Sequence, residues 1–176
     1  LLRIQTKRLA QTDKKNTVRS VTSVALLVLV VQIGLGGWTS TNYAALACPD
    51  FPTCFGTSWN PAVDYKEGFV LWRGLGVDYE FGVLSNEARA AIHWVHRIGA
   101  LITTILFSFL IYLLIRLSAI KEAIMLGALL FMQVMLGILN VLLNLPLHVA
   151  VAHNAVAALL LLSVVYVRFR LGKPVL

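Results

Sequence analysis

The chain has 176 residues, a length that suits a single domain. Apolar residues make up 59% and charged residues 13%, against about 45–50% and about 25% in typical soluble domains, which excludes a soluble domain and points to an integral membrane protein. The net charge of +7 asks for no nucleic-acid partner, because the basic residues gather at the ends and connections of apolar runs rather than on a soluble basic face.

Taken in order, residues 1–20 are polar and basic, carrying Arg3, Lys7, Arg8, Lys14, Lys15 and Arg19. They read as a solvated cytoplasmic tail or as a linker from an upstream part. A start at Leu1 rather than Met points to a piece of a longer protein. No cleavable signal peptide is visible, since a basic, polar stretch precedes a span too long for one. Residues 21–170 read as a four-helix transmembrane domain, and its first span is 21–38, at the short end of what crosses a bilayer. Gly34, Gly36 and Gly37 near its end either permit close helix approach or begin a loop.

Residues 39–87 form a long loop that holds most of the acidic side chains: Asp50, Asp64, Glu67, Asp78, Glu80 and Glu87. Trp59, Trp72, Tyr43, Tyr65 and Tyr79 suit a membrane–water interface. The remaining spans are 90–115, 123–143 and 147–167, with Gln133 and Asn140 as buried-polar candidates in the third. Lys and Arg concentrate in the N-terminal stretch, in the connection between spans two and three (Arg116, Lys121) and at the C-terminal end (Arg168, Arg170, Lys173). By the positive-inside rule both termini are cytoplasmic, or on the matrix side in a mitochondrion, and the long loop is extracytoplasmic. The expected fold is therefore an all-α membrane protein, an antiparallel four-helix transmembrane bundle with a long extracytoplasmic loop between helices 1 and 2.

Ionisable side chains inside spans mark functional sites by default, and here they are His93, His96 and Arg97 early in the second span and His148 and His153 early in the fourth. Spans two and four run in the same direction. At about 1.5 Å rise per residue, His96 and His153 both sit roughly 9 Å into their helices, placed to face each other. Zinc usually takes more protein ligands than two, whereas a haem iron needs only two axial ligands and imidazole is a common one. Gly99, Ala100, Ala150 and Ala157 leave room for a flat macrocycle; the alternative is small-residue helix packing with the histidines hydrogen-bonded across helices. His93 and His148 form an upper rank. Arg97 with them can meet haem propionates through its planar fork, or it snorkels to the interface. Cys48 and Cys54, the only cysteines, lie in the outer loop, where an oxidising compartment favours a disulfide with a structural or a redox role.

Three motifs in order, Cys48-Pro49-Asp50-Phe51-Pro52-Thr53-Cys54, His93-Trp94-Val95-His96-Arg97 and Ala152-His153-Asn154, resemble haem A synthase, specifically its C-terminal half, over about Val21 to Arg170. The resemblance implies haem A biosynthesis, the oxidation of the haem O methyl group to the formyl group of haem A. It also implies a haem b held by His96 and His153 as axial ligands. In that family a glutamate stands three residues before the first ligand histidine of the catalytic half; here the position is His93, so this half alone is expected not to be catalytic. Implied partners are haem O or haem A pathway proteins, a missing N-terminal catalytic half or a second copy of the chain, and membrane lipid. The implied location is a bacterial inner (plasma) membrane, or the mitochondrial inner membrane in a eukaryote. Rival readings are a stand-alone electron-transfer b-type cytochrome and a haem carrier or assembly factor.

Overall fold

The computed structural model describes residues 2–172 except 57, 58, 60, 73 and 75–81, with side chains described over 12–171 of that range. Arg73, Asp78, Tyr79, Glu80 and Lys173 lie outside the described residues, and of Arg3, Lys7 and Arg8 only the helical backbone is described. Helix α1 runs Leu2–Thr41, a short α2 Tyr65–Gly68, α3 Asn86–Arg116, α4 Ile120–Leu142 and α5 Leu147–Gly172. Four of them, α1 from Thr12, α3, α4 and α5, are long and apolar enough to cross a membrane. The chain is a multi-pass, all-helical membrane protein.

The basic stretch before residue 21 is helical and continuous with the first span. Nothing in it breaks a helix: no Gly or Pro precedes Gly34. Polar side chains near the start of the span turn back onto the helix itself, Thr17 to the carbonyl of Asp13, Thr22 to that of Val18 and Ser23 to that of Arg19. Such bonds satisfy hydroxyls where the bilayer offers no water.

Three helices end in the same way. The N–H groups of Tyr43 and Ala44 bond the carbonyls of Ser40 and Thr39, those of Ser118 and Ala119 bond Ile115 and Leu114, and those of Asn144 and Leu145 bond Val141 and Asn140. Tyr43, Ser118 and Asn144 take left-handed backbone angles, with φ of 53°, 59° and 57°. This paired closure satisfies the last helical carbonyls and reverses the chain within a few residues. Pro146 then accepts the first N–H groups of α5, from Val149 and Ala150. Tight reversals of this kind force antiparallel neighbours.

Helix α1 lies against α3 and α5, and α4 lies against the same two, so α3 and α5 stand on a diagonal of the square and run in the same direction. Most of the described basic side chains collect at one end of the bundle. Arg168 Nε donates to Ser23 Oγ at 2.7 Å, Arg170 pairs with the largely buried Glu122, and Lys14 and Arg116 share one cleft. Just inside that end is the main apolar core, built around Leu29, Phe107, Leu110, Leu126, Leu130, Leu160 and Val164.

At the opposite end the loop between α1 and α3 folds down onto α3. Asp64 caps α2, accepting from the Glu67 N–H at 2.9 Å. Ser85 caps α3, accepting from the Ala88 N–H at 3.2 Å, and donates in turn to the Glu67 carboxylate. Trp38 at the end of α1 donates to the carbonyl of Gly68 at 3.0 Å. Gly68 is buried there with no room for a side chain, since an added Cβ would stand 2.8 Å from the carbonyl oxygen of Ala88. Cys48 and Cys54 are joined in a disulfide that packs with Ala90.

Candidate functional site

Between the main core and the loop-covered end lies a slab in which no side chain is fully buried. It spans residues 30–38 of α1, 94–102 of α3, 131–140 of α4 and 150–155 of α5. At about 1.5 Å rise per residue it is roughly 13 Å thick on the first three helices. Fully buried residues bracket it on every helix: Leu29 and Thr39, His93 and Thr103, Leu130 and Val141, Val149 and Val156. A slab of this kind on four helices at once is not the result of one poorly packed residue.

Two imidazoles and two glutamine amides lie inside this slab. His96 on α3 and His153 on α5 stand within this slab on the diagonal helices. The other diagonal supplies Gln32 on α1 and Gln133 on α4. Gln32 Nε2 lies 3.1 Å from His96 Nδ1 and also donates to the His96 carbonyl at 3.0 Å. Gln133 Nε2 lies 3.2 Å from His153 Nε2. Each imidazole ring also lies against a glycine: an added Cβ would be 3.3 Å from His96 Cε1 at Gly36 and 3.1 Å from His153 Cε1 at Gly137.

Several polar atoms here are buried with no hydrogen-bond partner among the described residues: Gln32 Oε1, Gln133 Oε1, Asn140 Oδ1 and His153 Nδ1. Inside a bilayer each such atom costs about 1–3 kcal/mol or more. Two imidazoles from diagonal helices, orphaned polar atoms and a thinly packed slab fit a flat, iron-bearing macrocycle. Among the described residues no group of three or more His, Cys, Asp and Glu comes together.

The remaining sequence candidates are placed differently. His93 is buried, one turn toward the loop, and its Nδ1 accepts from the Cys48 N–H at 3.2 Å. Arg97 Nε faces His93 Nε2, also at 3.2 Å. A neutral imidazole has only one accepting nitrogen, so one of these two donors is accepted at a time. The Arg97 guanidinium reaches out of the helix to the disulfide loop. Nη1 donates to the carbonyls of Asp50 at 2.7 Å and Thr53 at 2.8 Å, and Nη2 to that of Cys48 at 2.7 Å. The Phe51 ring lies 5.9 Å from the guanidinium carbon. His93 and Arg97 therefore tie the Cys48–Cys54 loop to α3. His148 is exposed on the first turn of α5, so it does not form a rank with the buried His93.

Sequence reasoning missed Gln32 and Gly137, and it singled out Gly36 only for close helix approach or a loop start. The available signal was a repeated pattern, Gln32-Ile33-Gly34-Leu35-Gly36 and Gln133-Val134-Met135-Leu136-Gly137. Gly99, expected to make room for a macrocycle, instead makes room for Gln32, whose Oε1 an added Cβ would strike.

Fold and site together define a four-span membrane protein with an imidazole pair across the bundle and a disulfide-closed loop above it. The family model described as cytochrome oxidase assembly protein matches residues 1–165, and the chain belongs to that family. It is similar to haem A synthase of Shewanella oneidensis, 44% identical over 170 residues, which cover 96% of this chain and 51% of that relative. It is also similar to haem A synthase of Rhizorhabdus wittichii, 29% identical over 170 residues, 96% of this chain and 46% of the relative. The chain spans about half the length of the curated relatives it matches. No solved structure matches it.

Proposed function

We propose that this chain is the haem b-binding half of a haem A synthase, holding one haem between His96 and His153 in support of haem A biosynthesis. The observation that carries this reading is the imidazole pair on diagonal helices within a slab that lacks buried side chains. When bound, the haem supplies an iron centre able to accept and pass single electrons. The protein's own part is to present two neutral imidazoles, keep bulk water out with the apolar core below, and cover the outer side with the Cys48–Cys54 loop held by Arg97. His148 stands at the outer rim of the same site. The activity itself, oxidation of haem O to haem A, belongs to the whole enzyme of which this chain matches about half the length.

In the bacterial plasma membrane, the basic end of the bundle faces the cytoplasm and the disulfide loop the outside, by the positive-inside rule. An oxidising outer compartment suits the Cys48–Cys54 bond.

The test is a reduced-minus-oxidised spectrum of the purified full chain, with His96→Ala and His153→Ala beside it. The expected result is a low-spin b-type signal that either substitution abolishes or converts to another spin state. An unchanged low-spin spectrum in both variants would overturn the assignment.

A further inference from the structure

Each imidazole has its own glutamine, Gln32 at Nδ1 of His96 and Gln133 at Nε2 of His153. The repeated Gln-x-x-Leu-Gly pattern puts Gln32 and Gly36 on one face of α1, and Gln133 and Gly137 on one face of α4. Each Gln–Gly pair encloses one histidine ring, with the amide at a ring nitrogen and the glycine under Cε1. The correspondence extends along the helices in constant register. Thr22, Ala25 and Leu29 of α1 match Ala123, Leu126 and Leu130 of α4, and all six are buried. Ile92, Thr103, Phe107 and Leu110 of α3 match Val149, Leu160, Val164 and Val167 of α5, again all buried. The hairpins α1–α3 and α4–α5 are thus related by a pseudo-twofold axis along the bundle, and the imidazole level lies across it.

We propose that Gln32 and Gln133 are equivalent positioning residues, one for each haem-ligating imidazole, setting the ring plane and the electron-donating strength of the ligand. This rests on the reading of His96 and His153 as ligands. A neutral imidazole that gives one nitrogen to iron carries its proton on the other, and that N–H needs an acceptor; such outer partners fix ring orientation and raise ligand basicity. Beside each ring stands an amide whose nitrogen lies at the ring nitrogen and whose oxygen is buried without a partner among the described residues, so a half-turn of the amide brings an acceptor to the ring N–H. Amides serving only as glue between helices would have both ends satisfied within the bundle. Gly36 and Gly137 complete the unit, because a side chain at either place would press on the ring.

The experiment compares haem-loaded full chain carrying Gln32→Leu, Gln133→Leu, Gln32→Glu or Gln133→Glu with wild type, by redox titration and by electron paramagnetic resonance of the ferric haem. Leucine removes the acceptor, so the reduction potential should rise. Glutamate supplies a stronger acceptor, so the potential should fall, and the low-spin g values should move in all four variants. Equivalence requires the two leucine variants to shift the potential in the same direction and by similar amounts. A packing role would change haem content while leaving the potential of the retained haem as in wild type. Wild-type potentials and g values in all four variants, or Leu and Glu shifts of the same sign, would overturn the proposal.

Should the leucine variants lose haem, ring-nitrogen NMR of the haem-free chain in micelles decides. Gln32→Leu should move the His96 ring signals only, and Gln133→Leu those of His153 only; unmoved signals overturn the proposal. Low-spin haem retained in both His96→Ala and His153→Ala would sink the ligand reading itself. Intact histidine ligation with unresponsive glutamine variants would sink only the positioning role.

Discussion

Arg97 offers the sharpest perturbation, because the structure gives it loop contacts that its sequence context does not suggest. Its guanidinium holds three carbonyls of the Cys48–Cys54 loop at 2.7–2.8 Å. The bond to Asp50 is exposed, so water replaces it at little loss; the bonds to Thr53 and Cys48 are partly buried. Hydrogen bonds to charged groups contribute about 1.5–3 kcal/mol each. Counting the two sheltered bonds at the low end, Arg97→Ala should destabilise the docked loop by about 3 kcal/mol. That corresponds to on the order of 100-fold in the opening equilibrium, at about 1.4 kcal/mol per tenfold. Where opening precedes attack, reduction of the disulfide follows the open population. The assay is therefore the rate at which a small thiol reduces Cys48–Cys54 in purified protein, read by alkylation and mass spectrometry. The expected outcome is reduction accelerated by roughly two orders of magnitude with haem still bound. A variant that loses haem while its disulfide is reduced at the wild-type rate would refute the loop role and return Arg97 to the propionates.

Replacing both Cys48 and Cys54 by serine opens a loop whose ends are six residues apart; on the loop-entropy estimate this costs about 2–3 kcal/mol, checked as a lowered thermal midpoint that reductant no longer affects. Gly68→Ala puts a methyl group against the Ala88 carbonyl and should cost about 1–3 kcal/mol as overpacking, with the loop becoming protease-sensitive at unchanged helix content. Gly36→Ala and Gly137→Ala should lower haem content; by helix propensity alone either would stabilise by about 0.5–1 kcal/mol, so a stabilised protein with full haem would contradict the ring contacts. Expressed alone in a host that makes haem O but lacks its own synthase, the chain should accumulate no haem A; extraction and chromatographic separation of the haems decides it.

The spans and their order were legible from the sequence because bilayer thickness imposes length and apolarity on each helix, whatever the tertiary contacts. The common level of His96 and His153 was legible for a related reason: at the start of two parallel spans, depth along the helix follows from counting residues. Two things were not legible. The helical state of residues before 21 depends on the absence of breakers rather than on an apolar period, and polar composition alone does not distinguish a helix from a tail. The roles of His93 and Arg97 depend on where a long, irregular loop comes to rest. Spacing put both residues near the histidine level, but only the folded loop shows that their donors and acceptors face Cys48, Asp50 and Thr53. Gln32 was overlooked because a lone amide in an apolar run looks incidental until its partner at Gln133 and the glycines one turn away are set beside it.

The pseudo-twofold also locates where the two hairpins were free to diverge. At the imidazole level they agree: His96 corresponds to His153, Gln32 to Gln133 and Gly36 to Gly137. Beside that level they part, for the counterparts of His93, one turn nearer the outer end, and of Arg97, the residue after His96, are Ala150 and Asn154. The connections explain the difference. Helices α4 and α5 are joined by a tight turn at Asn144-Leu145-Pro146 that leaves no loop carbonyls to hold, whereas α1 and α3 are joined by the long disulfide-closed segment. A cation and an imidazole at that place on α5 would have no partners and would be costly at membrane depth; on α3 they are satisfied by the loop they fasten. The common level thus answers to a ligand that makes the same demand on both hairpins, and the unequal outer turn answers to the loop, which only one of them carries.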